Sequence, residues 1–148
     1  MRVLDSTEVA EAVRSGHTSQ RIARIPTGFP SPAEDMAEAP LSLDDLLVWH
    51  PASTFFVEME SDALQERGII AGDVLVVDRA LYATGGALVI ASLDGNLIAR
   101  HYCPDGDALQ LLAAHPDYAP ISIGNDARDR YEIWGVVTGV VRRLHRHQ

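Results

Sequence analysis

The chain has no lysine: all twelve of its Lys-plus-Arg residues are arginines. Chemistry that needs a lysine amine as a base is therefore excluded, because a guanidinium stays protonated in proteins. Cysteine is nearly as scarce, and the single Cys103 cannot form an internal disulfide. That suits a reducing cytoplasm, with Cys103 as an ordinary strand-packing residue. No apolar run reaches the roughly 20 residues of a membrane span, and the N-terminus lacks a basic-then-apolar signal segment. Positive charge is short overall, with 12 basic against 21 acidic residues and a formal net charge of −9. Direct DNA binding by the whole surface is not expected, since affinity for DNA comes largely from neutralising phosphates. The local exception is the tail Arg142-Arg143-Leu144-His145-Arg146-His147, a basic cluster that suits a solvated terminus or contact with nucleic acid or an acidic surface.

Metal and phosphate motifs are also missing. The six histidines, His17, His50, His101, His115, His145 and His147, have no zinc-binding spacing. Gly85-Gly86 and Gly106 look like turn glycines and lack the strand–glycine–helix context of a phosphate loop. No cofactor and no metal are expected. Asp44-Asp45 and Glu34-Asp35 read as solvated acidic pairs.

What is present fits a single domain with an arm. A chain of 148 residues with 47% hydrophobic content has enough material for one core. Residues 1–39 are loosely patterned and read as an N-terminal arm, with residues 40–148 as the β domain. Within the arm, Thr7 is placed to cap a short helix through Arg14, with Val9, Ala10 and Val13 as its apolar stripe and Gly16 as its end. Pro26, Gly28, Pro30 and Pro32 then impose extended backbone from Ile25 to Pro32, suited either to a linker or to strand addition in a groove. After Pro40, Ser42 is placed to cap a helical turn from Leu43 to Trp49 whose Leu43, Leu46 and Leu47 are expected to face the core.

The remainder reads as strands. Thr54 to Met59, Asp73 to Asp78, Ala87 to Leu93, Leu97 to Tyr102 and Ala108 to Leu112 are short aliphatic and β-branched runs separated by Gly, Asp and Pro. Asp94-Gly95 is a hairpin signal, because such pairs adopt positive φ at low cost. The run Tyr131 to Val141 is interrupted by Gly135 and Gly139, as where a strand bends or approaches another backbone. The fold class is mostly β, with mixed sheets or a barrel-like form.

The segment Phe55 to Asp78 carries a turn, Ser61-Asp62-Ala63-Leu64, followed by Gly72-Asp73 and the strand Val74 to Asp78. Gly28-Phe29-Pro30-Ser31-Pro32-Ala33, His50-Pro51 and Asp94-Gly95 followed by Asn96 to His101 occur in the same order. In these motifs the chain resembles the UmuD and LexA family of self-cleaving serine peptidases, and its UmuD branch most closely, over nearly everything from Gly28 onward. The resemblance implies the β fold of that family's C-terminal domain. In the family the turn reads Gly-Asp-Ser-Met and its Ser attacks a peptide bond in the protein's own arm. Here Ala63 stands at the nucleophile position and Arg100 at the position of the general-base lysine, with the self-cleavage junction between Thr27 and Gly28.

No catalytic residue is expected on this reading. Ala63 has no hydroxyl, and Arg100 cannot act as a base. Ser61 is the only nearby substitute nucleophile, but two positions along an extended segment displace it by roughly 7 Å from Ala63. His101 adjoins Arg100 but points to the opposite side of the strand. The resemblance implies a homodimer, with a UmuC-like polymerase and the RecA filament as partners in an SOS response to DNA damage. It also leaves open cleavage of Thr27–Gly28 in trans by another peptidase of the family. The arm segment His17-Thr18-Ser19-Gln20-Arg21 lacks the aromatics that UmuD offers to the sliding clamp. The competing readings are an active self-cleaving peptidase using Ser61 and a LexA-like repressor fragment; a reading as a membrane-anchored signal peptidase is set aside with the missing apolar segment.

Overall fold

The computed structural model describes residues 1–4, 20–21 and 40–145. The chain divides into two compact units, Met1–Asp5 with His50–Gln148, and Ser6–Trp49. In the smaller unit, β2 (Gln20–Arg21) pairs antiparallel with β3 (Pro40–Leu41), followed by helix α1 (Leu43–Leu47). Ser42 occupies the N-cap and accepts the Leu46 N–H through its carbonyl, without a side-chain cap bond. The expected inward face of this helix is not formed: Leu43 and Leu46 are 62% and 47% exposed. The helix ends after five residues because Val48, β-branched, takes extended dihedrals. The arm helix expected from Thr7 and the extended Ile25–Pro32 segment lie outside the described residues.

The larger unit is one curled antiparallel sheet of eight strands in the order β1-β4-β5-β10-β6-β7-β8-β9. Its members are β1 (Arg2–Val3), β4 (Thr54–Glu58), β5 (Val74–Asp78), β6 (Leu88–Leu93), β7 (Asn96–Asp105), β8 (Ala108–Leu112), β9 (Ile121–Ile123) and β10 (Tyr131–Val141). The mostly β class and the six longest strands follow the sequence pattern. The two short edge strands were not legible in it, because two or three residues give no periodicity to detect. Asp94 and Gly95 have φ of 50° and 83°, the two positive values that a two-residue hairpin between Leu93 and Asn96 requires. At its tip, Arg130 makes a bidentate pair with the Asp94 carboxylate.

Both faces of the sheet are buried at its central strand β6. Ile90 joins a core cluster with Val57, Met59, Ala63, Leu64, Leu75, Val77 and Ala99. Its neighbours Val89 and Ala91, pointing the other way, join Leu109, Leu111 and Ile123. This double burial explains why Val74 to Val77 is continuously apolar instead of alternating. β10 bridges the halves by pairing with β5 along one stretch and β6 along another, and its register slips between Ile133 and Gly135 and again between Val137 and Gly139. Each slip is a bulge that bends the strand, so the two glycines mark where the sheet curls.

Strand β5 carries a buried carboxylate just before it and another at its end. Asp73, 1% exposed, accepts Nε and Nη2 of Arg142 at 2.6 and 2.7 Å and the Ile70 N–H. These bonds, led by Arg142, hold its pKa below the ordinary carboxylate value. Asp78 takes Nδ1 of His50, the Ser53 hydroxyl and the Ala80 N–H. Burial pushes the Asp78 pKa up, but those bonds outweigh it and the net shift is downward. Arg142 is thus an ion-pair partner within the fold, which weakens it as a tail contact for nucleic acid.

Gly135 is a close-approach glycine. A Cβ there would lie 2.5 Å from Val77 Cγ1 and 3.4 Å from the Asp78 carbonyl oxygen. Replacing Gly135 with Ala is expected to destabilise the domain by about 1–3 kcal/mol, the usual cost of overpacking. A urea unfolding midpoint unchanged from the parent would show that β10 does not cross β5 this closely.

Candidate functional site

The segment after β4 leaves the sheet in a fixed direction because Met59 makes a reciprocal backbone pair with the start of β5. Its N–H donates to the Asp73 carbonyl, and its own carbonyl accepts the Gly72 N–H. The turn Ser61–Leu64 then doubles back. Ala63 and Leu64 are fully buried in the first core cluster, while Asp62 stays at the surface. Ala63 donates its N–H to the Ser61 hydroxyl at 3.4 Å and accepts the Ala114 N–H at 2.7 Å, and the Ala114 carbonyl in turn accepts the Glu66 N–H. The turn is therefore clamped to the segment that follows β8. A short 3-10 turn, Gln65–Arg67, closes on Gly68 at φ 79°.

That following segment delivers two side chains that the sequence reading missed. Tyr118 donates its hydroxyl to Asp62 Oδ1 at 2.7 Å and also contacts Ser61. His115 Nε2 lies 3.2 Å from Asp62 Oδ2, while its Nδ1 accepts the Asp117 N–H. The two rings meet edge to face, with centroids 5.3 Å apart. Neither residue forms a motif in the chain; only the turn between β8 and β9 brings them 53 and 56 positions back to Asp62.

Arg100, on β7, completes the group. Its guanidinium lies 5.2 Å over the Tyr118 ring, within cation–π range. The residue is 7% exposed, Nη1 donates to the Ala99 carbonyl, and Nε has no partner. Burial lowers its pKa from the ordinary value, yet a guanidinium remains charged at any physiological pH. His101, the next residue on β7, pairs across to Leu88 and Leu112 and its Nε2 is also buried without a partner.

The structure thus brings Ser61, Ala63 and Arg100 to one place through Tyr118, and among the described residues it places no free base beside Ser61. The Ser61 hydroxyl accepts the Ala63 N–H at 3.4 Å. Tyr118 holds its proton more tightly than usual, chiefly because it donates to the Asp62 carboxylate. The other Ser-His-Asp grouping, Ser53 with His50 and Asp78, is not a catalytic arrangement, since the Ser53 hydroxyl donates to Asp78 and not to the imidazole. Thr27 and Gly28 lie outside the described residues. Among the described residues no cluster of His, Cys, Asp and Glu could hold a metal ion, and no helix is long and apolar enough to cross a membrane.

Residues 20–138 match the family model described as Peptidase S24-like. The chain is similar to Protein ImpA of Salmonella typhimurium, at 37% identity over 124 residues covering 81% of this chain and 80% of that one. It is also similar to Protein MucA of Escherichia coli, at 34% identity over 79% of each chain. The LexA repressor of Acidithiobacillus ferrooxidans is 32% identical over 82% of this chain and 59% of the repressor.

The Asp62 carboxyl is held below its ordinary pKa of 3.8, first by the Tyr118 hydrogen bond. A carboxyl depressed on folding adds stability above its unfolded pKa, and that stability is lost as pH falls through the folded value. Tyr118→Phe is therefore expected to raise the Asp62 pKa and flatten this acid-side dependence. Carboxyl-detected NMR titration measures it directly; an unmoved Asp62 would mean that the phenol–carboxylate contact is absent in solution.

Proposed function

Because the chain belongs to the Peptidase S24-like family, that of UmuD and LexA, we propose that it is a catalytically inactive UmuD-like subunit acting by protein–protein binding. Its role is that of an accessory to an error-prone translesion DNA polymerase in the SOS response. The observation that supports this reading is Ala63, buried and clamped by backbone bonds, which by resemblance stands at the family's nucleophile position. A serine peptidase needs a hydroxyl and an adjacent base to take its proton. Ala63 offers a methyl group, and Arg100 offers a cation that cannot accept a proton.

What the family scaffold retains is binding. By resemblance the chain works as a homodimer with a UmuC-like polymerase and meets RecA filaments on single-stranded DNA. The regulatory switch is then either lost or worked by a cut at Thr27–Gly28 made in trans by another peptidase of the family. The net charge of −9 supports protein partners over direct contact with DNA, and Arg142, taken up by Asp73, weakens the tail as an alternative DNA contact.

Incubation with activated RecA filaments is expected to yield no fragment beginning at Gly28. Restoring both halves of the dyad, with Ala63→Ser and Arg100→Lys together, is expected to produce that fragment. Either change alone should stay at least about a hundredfold slower, the lower end of what a positioned base contributes. Gel electrophoresis with N-terminal sequencing reads the result. A Gly28 fragment from the unaltered chain, abolished by Ser61→Ala, would falsify the inactive reading.

A further inference from the structure

A cavity of about 220 Å³ lies where the β7–β8 hairpin, the end of β9 and the start of β10 come together, and it shares no described residue with the Ser61–Leu64 turn. The hairpin closes with Asp105 opposite Ala108, and Gly106, at φ 60°, takes the first central position, where a type II′ turn calls for glycine. Asp107, the second turn residue, is exposed in the cavity wall. Tyr102 on β7 and Tyr131 on β10 line it from the sheet, both half-buried against the second core cluster. None of these groups is taken up inside the fold: among the described residues neither phenol has a hydrogen-bond partner, and the Asp107 carboxylate has no cation. Asp73, Asp78 and Asp94, by contrast, each hold a donor.

The polarity of this wall decides what fits. Its lining is mostly polar, so an apolar side chain would take these oxygens out of water without replacing their hydrogen bonds. An anion would meet the Asp107 carboxylate. A metal ion does not fit either, since among the described residues no cluster of His, Cys, Asp and Glu could hold one. An organic cation satisfies the wall: phenol and carboxylate oxygens accept from its N–H groups, and tyrosine rings attract positive charge over their faces. No arginine or histidine is present in the described lining to fill that place from within. At about 220 Å³ the cavity is smaller than the roughly 300 Å³ of the smallest drug-sized pockets and has room for the head of one side chain.

We infer that this cavity receives the cationic head of a lysine or arginine side chain presented by a partner protein. The net charge of −9 draws basic surfaces toward the chain. A lysine head can come only from a different protein, because the chain itself has no lysine. Asp107 supplies the counter-charge, and the two phenols orient the head and shield the pair from solvent, so that the attraction is stronger than at an open surface. The inference goes beyond the inactive-subunit reading and stands on the cavity alone.

The test titrates end-capped tripeptides with lysine, arginine or acetyl-lysine between two glycines into the full chain, followed by NMR at the Tyr102, Asp107 and Tyr131 resonances. At least one basic peptide is expected to bind about tenfold or more tightly than the acetyl-lysine peptide, the low end for one charge-assisted hydrogen bond. The stronger of the two identifies the preferred head. Asp107→Asn should abolish the preference; its side chain is exposed, so the change leaves the core intact. Glu66→Gln removes the same charge from an exposed residue outside the cavity and should leave the preference in place. Equal binding of basic and acetylated peptides overturns the inference. So does a preference that survives Asp107→Asn, or one that Glu66→Gln abolishes as fully, since it would then come from the overall charge. None of these results involves self-cleavage, so they leave the inactive-subunit reading to its own test.

Discussion

The constraint on which the rest of the structure depends is the burial of strand β5 with a carboxylate at each end. Its interior residues Leu75, Val76 and Val77 are fully buried, so the strand holds its place through apolar contacts on both faces. The two carboxylates cannot be buried without partners, and the partners come from opposite ends of the larger unit. His50 and Ser53 stand at its start and meet Asp78; Arg142 stands just past β10 and meets Asp73 across 69 positions. Because Asp73 also orders the Ile70 N–H, and Arg142 also bonds the Gly68 carbonyl, the loop from Gly68 to Asp73 is fixed by the same pair.

The site inherits its geometry from that loop. Met59 is bonded to Asp73 and Gly72 on one side of the Ser61–Leu64 turn, and Gly68 and Ile69 return to Gln65 and Leu64 on the other. With both ends of the excursion anchored, burying Ala63 and Leu64 in the first cluster sets the orientation of Asp62 outward. The clamp to Ala114 then carries His115 and Tyr118 into place. Ala63 is thus a packing position, occupied by the smallest chiral side chain.

Much of this was legible along the chain. The Asp94-Gly95 turn and the bulge glycines of β10 are local conditions that only a few residue types satisfy, and they appear where the hydrogen bonding later requires them. Helix α1 is the counter-example. Leu43, Leu46 and Leu47 have helical spacing, but spacing does not say whether a surface is available to bury them, and two of the three are exposed. The tail shows the same limit in another form: Arg142 reads as one of a basic run, and only the folded chain shows that Asp73 was waiting for it.

By itself the sequence excluded a lysine base and pointed to the scaffold the chain is built on. The absence of lysine, Ala63 at the turn and the order of the motifs are properties of covalent chemistry and spacing, and they hold whatever the backbone does. The tertiary structure alone decided which groups meet. Tyr118 and His115 belong to no local pattern, and nothing along the chain shows that Arg100 is buried, stacked on one ring and, among the described residues, without a carboxylate. Electrostatic pairing depends on distance and burial, and in an antiparallel sheet both are set by strand order and register, quantities that no short window of residues contains.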